Sequence, residues 1–333
     1  MILVLSKSRH ETSTDEVISW LIYFNVDWNR INGIDFEKKD VNLNLKKEIF
    51  TLLDEKIDSK RYPVIWYRRW HDEDSFDESI KEFENNFKNK NELLRYLYDE
   101  MDTVKNFLFS KLKKSYWLTN PLKTKLNKLI VLEEAKNIGL LIPDTYVLTQ
   151  KVELIKKFKK HNTLITKSLS DSPNLISKND GSDNTIYTEE INIKMIENLP
   201  ENFFPTLFQR KINKIVDLRI FYLDGVYYPM AIFSQKNNKT KIDFRHYDYE
   251  KPNRAVPYKL PSDIESKLNH LMKRLQLNCV SIDMVLEKEY RKYFFLEVNP
   301  VGQFGMISSP CNYFLEKKIA VHLIKKHRAN VKS

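Results

Sequence analysis

The chain contains few glycines and cysteines, and both shortages exclude classes of site. Only 6 glycines occur in 333 residues. No glycine-rich fingerprint follows an apolar strand near the amino terminus, which argues against a dinucleotide-binding turn there. The two cysteines, Cys279 and Cys311, supply neither a disulfide framework nor the spacing of a thiolate metal site. The chemistry must therefore be sought among oxygen and nitrogen side chains.

Long apolar runs are also missing. No stretch of about 18 apolar residues occurs, so the sequence predicts no membrane-spanning helix. Lys7, Arg9 and His10 interrupt the amino-terminal apolar run before a signal-peptide core could form. With 42% hydrophobic residues, the composition predicts a globular protein of about two domains. We expect a cytoplasmic protein with reduced thiols and no membrane partner.

Basic residues are in excess, giving a formal net charge of +10. This charge predicts attraction to anions such as nucleotides, acidic peptides or nucleic acid, without choosing among them. A module that only binds nucleic acid has no reason to place acidic side chains on adjoining strands, which is what the carboxyl-terminal third predicts. No nucleic-acid partner is therefore expected.

The most informative stretch of the chain is a predicted hairpin near the carboxyl terminus. Two apolar segments, Val280–Leu286 and Tyr293–Val298, flank a charged tip at residues 287–292. A turn centred on that tip places Asp283 roughly opposite Glu297. Both acids interrupt apolar runs, where an unpaired carboxylate is costly to bury.

Strand alternation refines this picture. It places Glu297 and Asn299 on one face and Phe294, Leu296 and Val298 on the other. Two carboxylates and an amide oxygen then converge, a donor set that suits Mg²⁺ and not a soft metal. The alternative is that Asp283 merely ends a strand and Glu297 is a solvated surface residue.

The segment LEVNPVGQFG, which contains Glu297, Asn299 and Pro300, resembles the last motif of the ATP-grasp superfamily. Members of that superfamily hold Mg²⁺ with an Asp on one strand and a Glu-x-Asn on the next. The resemblance therefore implies ATP and Mg²⁺ as cofactors, with Asp283, Glu297 and Asn299 as metal ligands.

Upstream segments extend the resemblance. The helix predicted at Leu122–Gly139 is similar to the entry of the ATP-grasp fold, which implies that Lys128 contacts nucleotide phosphate, with Lys125 as the runner-up. Lys167, inside the predicted strand TLITKS, would bind the α- and β-phosphates. The polar segment from Leu169 to Thr185 would close over the phosphates, although it contains one glycine where many relatives have several.

A second group of residues follows from the same resemblance. The segment FFPTLFQRKI resembles the adenine hinge, so the expected ATP-binding residues there are Gln209, Arg210, Lys211 and Ile212. Asp217 would lie near the ribose and Arg219 near the phosphates, although a surface ion pair between these two is the alternative reading. Arg245, in DFRHYD, would lie beside the γ-phosphate and the acyl substrate, with the neighbouring His246 a weaker candidate for a base. The implied catalytic residues are Arg219, Arg245 and Glu297.

The expected fold class is α/β (α+β), an ATP-grasp fold in three parts. Residues 1–118 would form a Rossmann-like pre-ATP-grasp domain, residues 119–208 the central subdomain, and residues 209–330 the carboxyl-terminal subdomain with the magnesium site. The Asp224–Gly225 pair predicts a hairpin turn, and Ser262 with Glu265 predicts a capping box at the start of a helix.

The stretches FRHYDYEKPNRAVPYKLP and LEVNPVGQFGMIS look like the graspetide synthetases, a peptide-maturase branch of the superfamily. This resemblance implies an ATP-dependent ligase that joins Asp or Glu side chains of a ribosomal precursor peptide to Thr, Ser or Lys side chains, making macrocyclic esters or amides. The partner would be a precursor with a leader and an acidic core, the leader docking on the Ile215–Gln235 hairpin or a nearby helix. A homodimer is a further expectation. The alternative is a ligase that adds a free amino acid or small acid.

Overall fold

The computed structural model describes residues 1–8, 11–35, 41–47, 49–52, 55–70, 89–170, 174–176, 183–185, 187–246 and 248–332. Contacts divide the chain into two compact units. One contains Met1–Pro121 and Phe314–Ser333, and the other contains Leu122–Tyr313. The predicted three-part division stays a prediction.

The first unit is built on a parallel sheet. The strands are β1 (Ile2–Ser6), β2 (Trp28–Asn32), β6 (Val64–Tyr67) and β7 (Tyr116–Leu118), in the order β2-β1-β6-β7. Helices α1 (Thr12–Tyr23), α2 (Lys90–Lys111) and α8 (Leu315–Lys332) belong to this unit, as does a small antiparallel sheet of β3 (Val41–Asn44), β4 (Ile49–Leu52) and β5 (Glu55–Lys56). Every residue of β1 is buried because strands at the centre of a parallel sheet are covered on both faces.

The second unit contains a central antiparallel sheet. Its strands are β8 (Thr145–Gln150), β9 (Leu164–Lys167), β12 (Glu189–Ile191) and β13 (Asn202–Arg210), in the order β12-β9-β13-β8. Helices α4 (Lys151–His161) and α5 (Ile193–Asn198) cover one face through a core that includes Leu154, Leu164 and Phe208. A two-stranded ribbon of β10 (Asn174–Ile176) and β11 (Asp183–Thr185) lies between β9 and β12 in the sequence.

A five-stranded antiparallel sheet completes this unit. Its strands are β14 (Lys214–Leu223), β15 (Val226–Phe233), β16 (Arg254–Pro257), β17 (Cys279–Glu287) and β18 (Tyr293–Asn299), in the order β16-β15-β14-β17-β18. Helices α3 (Lys128–Asn137) and α6 (Ser262–Leu275) contribute to the core on one face. The short helix α7 (Gly305–Cys311) contacts β14, β15 and β16.

Strand alternation explains why β14 carries polar groups inside the protein. Val216, Leu218 and Ile220 point into the helix-covered core, whereas Asp217, Arg219 and Phe221 take the opposite face. The turn to β15 uses Asp224 and Gly225 with φ of 44° and 98°, the left-handed conformations that a two-residue hairpin requires. The predicted hairpin is thus confirmed.

Two helix boundaries differ from the prediction. Helix α3 begins at Lys128, six residues after Leu122, because the Asn127 side chain accepts from the N–H groups of Leu129 and Ile130 and caps the helix there. The capping box at Ser262 is wrong. Pro261 occupies the cap position of α6, with no side-chain cap, so Ser262 is already helical.

The expected parallel α/β unit at the amino terminus and the mixed α/β fold class are confirmed. No helix in the described ranges is long and apolar enough to cross a membrane. Much of the predicted phosphate-closing loop, residues 171–173 and 177–182, lies outside the described residues.

Candidate active site

A cleft of about 560 Å³, open to solvent, lies between the central and the five-stranded sheets of the second unit. Strands β9 and β13 contribute one wall, and β14, β17 and β18 contribute the other. Six of the predicted site residues line it: Lys167, Gln209, Asp217, Arg245, Asp283 and Glu297. The sequence therefore located the residues of one cleft from segments that lie far apart in the chain.

Asp283 and Arg219 form a buried ion pair across neighbouring strands. The two residues are paired in the β14–β17 register, and the Arg219 guanidinium donates to Asp283 Oδ2. The alternative interpretation, a surface ion pair between Arg219 and Asp217, is wrong. Both residues are buried, and Asp217 pairs with Lys214 instead. Burial raises the pKa of the Asp283 carboxyl. Arg219 opposes this rise and the Glu297 carboxylate adds to it, so the pKa stays above its usual range.

Glu297 lies opposite Asp283 in the β17–β18 register, as the sequence predicts. Its Oε2 atom is 3.6 Å from Lys167 Nζ on β9. Burial alone would raise the pKa of Glu297, but the Lys167 ammonium, with support from Lys128 and Arg245, brings it below its ordinary value. Glu297 is therefore held as a carboxylate, whereas burial lowers the pKa of Lys167.

A β-bulge changes the predicted faces of β18. Asp283 pairs with Glu297 but Met284 pairs with Phe295, so Leu296 is the extra residue. Phe295 and Val298 consequently enter the helix-covered core, while Leu296 lines the cleft beside Glu297. The prediction that Leu296 and Glu297 lie on different faces of the sheet is wrong, because strict alternation does not hold across a bulge.

Asn299 and the following turn complete this corner of the site. The Asn299 amide donates to Asp283 Oδ2 at 3.3 Å, and the N–H of Gly302 donates to the Asn299 carbonyl at 3.1 Å. A Cβ atom at Gly302 would lie 2.4 Å from the backbone nitrogen of Ser281 on β17. Only glycine therefore allows this turn to pack so closely against the strand that carries Asp283.

The donor set fits a magnesium ion. Asp283 Oδ1 is buried and accepts no hydrogen bond within the described part of the chain, an arrangement that needs explanation in a native site. The described residues hold no group of three or more His, Cys, Asp or Glu side chains suited to a metal. Two carboxylates with an amide oxygen nevertheless match Mg²⁺, which keeps several waters and substrate phosphates as its other ligands.

Lys128 occupies the first turn of α3. Its Nζ donates to the carbonyl oxygens of Ser168 and Ser170, at 3.4 Å and 3.2 Å. These residues follow directly after β9 and Lys167, so the two predicted phosphate lysines approach the same loop. Lys125 lies before the helix and is exposed.

The predicted adenine hinge lies at the end of β13. The N–H groups of Arg210 and Lys211 donate to the carbonyls of Asp144 and Thr163. These two N–H groups are therefore not available to hydrogen-bond an adenine ring. The N–H of Ile212 donates to no acceptor among residues the structure describes. Arg210, Lys211 and Ile212 do not line the cleft, whereas Gln209 does. Gln209 Nε2 donates to Thr145, and its buried Oε1 accepts from no donor among the described residues.

Asp217 belongs to a buried cluster that the sequence did not predict. Lys214 Nζ donates to Asp217 Oδ1 at 2.6 Å and to the carbonyl of Ile242 at 3.1 Å. Ser234 donates to Asp217 Oδ2 at 2.6 Å. The only sequence signal for Lys214 was its position three residues before Asp217, which in an alternating strand indicates opposite faces and was therefore no guide. A register shift at Lys214 brings the two side chains together.

Arg245 is held by Asp243, a second residue missed in the sequence. Arg245 donates from Nε and Nη2, the latter at 2.6 Å, and from its backbone N–H to the same carboxylate. The N–H of Thr188, next to β12, also donates to Asp243, at 3.3 Å. Hydrogen bonds from Arg245 outweigh burial and lower the pKa of Asp243 to about 2. His246 packs on Tyr187 instead and is exposed.

Comparisons with known proteins agree with this geometry. No family model matches the sequence, and no curated sequence matches it significantly. A RiPP-associated ATP-grasp ligase from Chryseobacterium gregarium, solved with ADP and a leader and core peptide, is 24% identical with a TM-score of 0.78. The alignment covers 98% of this chain and 96% of that chain.

Two further solved structures are similar over the whole chain. The macrocyclase MdnC from Microcystis aeruginosa MRC, bound with precursor peptide MdnA, is 26% identical, with a TM-score of 0.76 and coverage of 98% and 99%. The ATP-grasp ligase PsnB, complexed with a minimal precursor, Mg and ADP, is 15% identical, with a TM-score of 0.76 and coverage of 97% and 96%. The resemblance predicted from the motifs is confirmed: the chain shares the fold of the RiPP-associated ATP-grasp ligases.

Proposed function

We propose that this protein is an ATP-dependent ligase that activates Asp or Glu side chains of a precursor peptide and joins them to Thr, Ser or Lys side chains as macrocyclic esters or amides. The observation that carries the proposal is the convergence of Lys167, Arg245, Asp283 and Glu297 on one cleft. Similar structures solved with ADP and with precursor peptides support the same reaction class.

The proposed reaction has two steps. A substrate carboxylate oxygen attacks the γ-phosphorus of ATP, the bond from that phosphorus to the β,γ-bridging oxygen breaks, and ADP leaves with an acylphosphate remaining. A hydroxyl or amine of the same peptide then attacks the acyl carbon, loses its proton to solvent, and expels phosphate. Each new bond therefore removes the elements of one water molecule from the peptide.

The chain's own residues supply position and charge for these steps. Lys128 and Lys167 would bind the phosphates, and Arg245, fixed by Asp243, would lie beside the transferred group. Such fixed cations stabilise the charge that develops during transfer without reorganising. Arg219 keeps Asp283 oriented within the sheet.

The residues that would hold magnesium are Asp283, Glu297 and Asn299. A bound Mg²⁺ neutralises phosphate charge and orients the transferring group. Burial of Lys167 would also favour phosphate binding, because a low-dielectric cleft strengthens the interaction between this lysine and an anionic ligand.

Mass spectrometry of the reaction tests the proposal. A precursor peptide encoded next to this protein is incubated with the protein, ATP and Mg²⁺. We expect a mass loss corresponding to one water per linkage, absent with Glu297→Gln and absent when the acidic core residues become amides. Glu297→Gln with full ATP consumption would overturn the metal assignment.

The same experiment separates the alternative ligase. ATP consumption with unchanged peptide mass, but with a gain equal to an added free amino acid or small acid, would replace macrocyclisation by the alternative activity. The leader-docking hairpin, the homodimer and a cytoplasmic location belong to the proposal. Within that hairpin nearly all of β14 is buried. The exposed apolar side chains that a leader could contact there include Val226 and Phe233 on β15.

A further inference from the structure

A second recess lies outside the cleft, where the two ends of the loop that joins β15 to β16 come together. The recess is open to solvent, with a volume of about 1220 Å³, and its lining includes three asparagines and four cations, Lys236, Lys239, Lys251 and Arg254. Asp248 is the one acidic residue among the described residues that line it. We call this feature the basic recess.

Only one of the four cations of the basic recess has a carboxylate partner among the described residues. Lys236, Lys251 and Arg254 form no salt bridge with any carboxylate in the described ranges, and Lys239 Nζ is 3.9 Å from Asp248. The Arg254 guanidinium instead lies over the Phe233 ring at 5.6 Å, which leaves its N–H donors available.

The backbone that presents these cations is fixed by hydrogen bonds. The buried Asp248 carboxylate accepts from the Asn237 amide at 2.8 Å and from the N–H groups of Glu250 and Lys251 at 3.1 Å and 3.3 Å. The Thr240 hydroxyl lies 2.9 Å from Asn253 Oδ1 and 3.1 Å from the carbonyl oxygen of Ser234, and it donates to one of these two acceptors. These hydrogen bonds therefore fix the two ends of the loop that presents the cations.

The basic recess and the cleft share one loop. Lys236 and Lys239 line the recess, whereas residues 242–245 line the cleft. Only Thr240 and Lys241 separate the two sets in the chain. A ligand segment held in the recess would therefore lie one short loop away from Arg245.

We propose that the basic recess binds a carboxylate-rich segment of the peptide substrate while another segment reacts in the cleft. The inference rests on the proposed function, since it concerns the same substrate. The three lysines act as point charges for carboxylates, and the planar Arg254 guanidinium can bind a carboxylate through two N–H groups. The asparagine amides can bond peptide N–H and C=O groups.

Fluorescence anisotropy without ATP tests the proposal directly. The probe is a fluorescein-labelled peptide of alternating Glu and Gly, compared with the matching Gln and Gly peptide, at low salt. We expect the Glu peptide to bind at least about tenfold more tightly, and this preference to weaken as salt is added. In the Lys236→Glu/Lys251→Glu protein the affinity should fall about tenfold.

The matched control is Lys194→Glu/Lys273→Glu, which makes the same change in net charge at exposed positions outside the recess. It should retain most of the affinity for the Glu peptide. Equal losses in both double variants would overturn the proposal, since long-range charge would then explain binding. Single-stranded DNA or inorganic phosphate displacing the probe more strongly than unlabelled Glu peptide, with loss only in the recess variant, would also overturn it in favour of a phosphate ligand.

This outcome is separable from that of the proposed function. The probe has no hydroxyl or amine acceptor and no ATP is present, so its binding does not depend on ligation. Peptide binding without any ATP-dependent mass loss would leave the recess assigned and the ligase activity refuted. Ligation that proceeds with unchanged KM in the recess variant would refute the recess alone.

Discussion

The two sheets of the second unit differ in how far their charged side chains are buried. In the five-stranded sheet, β17 is buried at every position and β14 at nine of ten. Asp217 and Asp283 on these strands each form an ion pair with a cation inside the protein. In the central sheet, β8 and β9 are mostly half-buried or exposed, and Lys167 faces the cleft. The difference follows from coverage, because a sheet covered on both faces cannot leave a carboxylate to water.

This contrast assigns different duties to the two walls of the cleft. The five-stranded sheet fixes acids that would hold magnesium, and the stability of the protein depends on their partners. The central sheet presents cations that would meet phosphate, and their removal should affect ligand binding more than folding. Four substitutions, from the largest expected effect to the smallest, test this division.

Arg219→Met should have the largest effect on stability. The substitution leaves Asp283 buried without its cation, and breaking one partner of a buried pair costs about 3 to 5 kcal/mol. We expect the free energy of unfolding, measured by urea denaturation, to fall by about that amount. Arg219→Met/Asp283→Leu, which removes both charges, should recover most of the loss. No recovery would show that packing, and not charge, makes the pair important.

Gly302→Ala should come next. The added Cβ would lie 2.4 Å from the Ser281 nitrogen, a backbone atom that cannot move without displacing β17. We expect a loss of about 2 to 3 kcal/mol in unfolding free energy, together with weaker Mg²⁺ binding measured by calorimetry with ATP. The matched control is Gly305→Ala, where nothing lies within 4 Å of the new Cβ, and it should change neither quantity. Similar losses in both variants would contradict the close-packing argument.

Much of the five-stranded sheet was predictable because its signals are local. The Asp224–Gly225 turn and the pairing of Asp283 with Glu297 both follow from period-two patterning and turn chemistry. The bulge at Leu296 was not predictable in the same way, since an inserted residue is chosen by packing on two faces at once. The partners of Asp217 were missed because a register shift overrides simple alternation.

The site was predictable only through the motifs. Composition and spacing suggested oxygen chemistry near Asp283, while Lys128, Lys167 and Gln209 were selected by resemblance. Asp243 escaped both kinds of reasoning, because its role depends on Arg245 and on the N–H of Thr188, which lies on a distant segment. Contacts of this kind require the fold.

Asp243→Asn tests the loop that joins the two walls. Because the folded-state pKa of Asp243 lies at about 2, below the ordinary 3.8, its carboxylate contributes stability above pH 3.8 that is lost as the pH falls toward 2. The shift corresponds to about 2 kcal/mol. We expect the difference in unfolding free energy between the wild type and Asp243→Asn to be constant near neutral pH and to shrink in acid.

Activity gives this variant a second readout. Loss of the carboxylate frees the Arg245 side chain, so kcat should fall more than the KM for ATP rises, with Asp243→Glu recovering part of the rate. If the stability difference did not change in acid, the contact with Arg245 would not be what keeps Asp243 ionised. That outcome would also argue against a role for Asp243 in positioning Arg245.

Lys128→Gln should have the smallest effect on folding, and it tests a cation that contacts the segment directly after β9 of the central wall. Its Nζ contacts only the carbonyls of Ser168 and Ser170 among the described residues, and a loss at such a site should stay within about 0.5 kcal/mol in urea denaturation. The ATP dissociation constant, measured by calorimetry, should nevertheless rise about tenfold, because one phosphate cation is removed from a partly buried site. Lys125→Gln, the exposed neighbour before α3, should change neither value. If Lys125→Gln weakened ATP binding and Lys128→Gln did not, Lys125 would be the lysine that binds phosphate. If Lys128→Gln destabilised the fold as Arg219→Met does, the division between the two walls would fail.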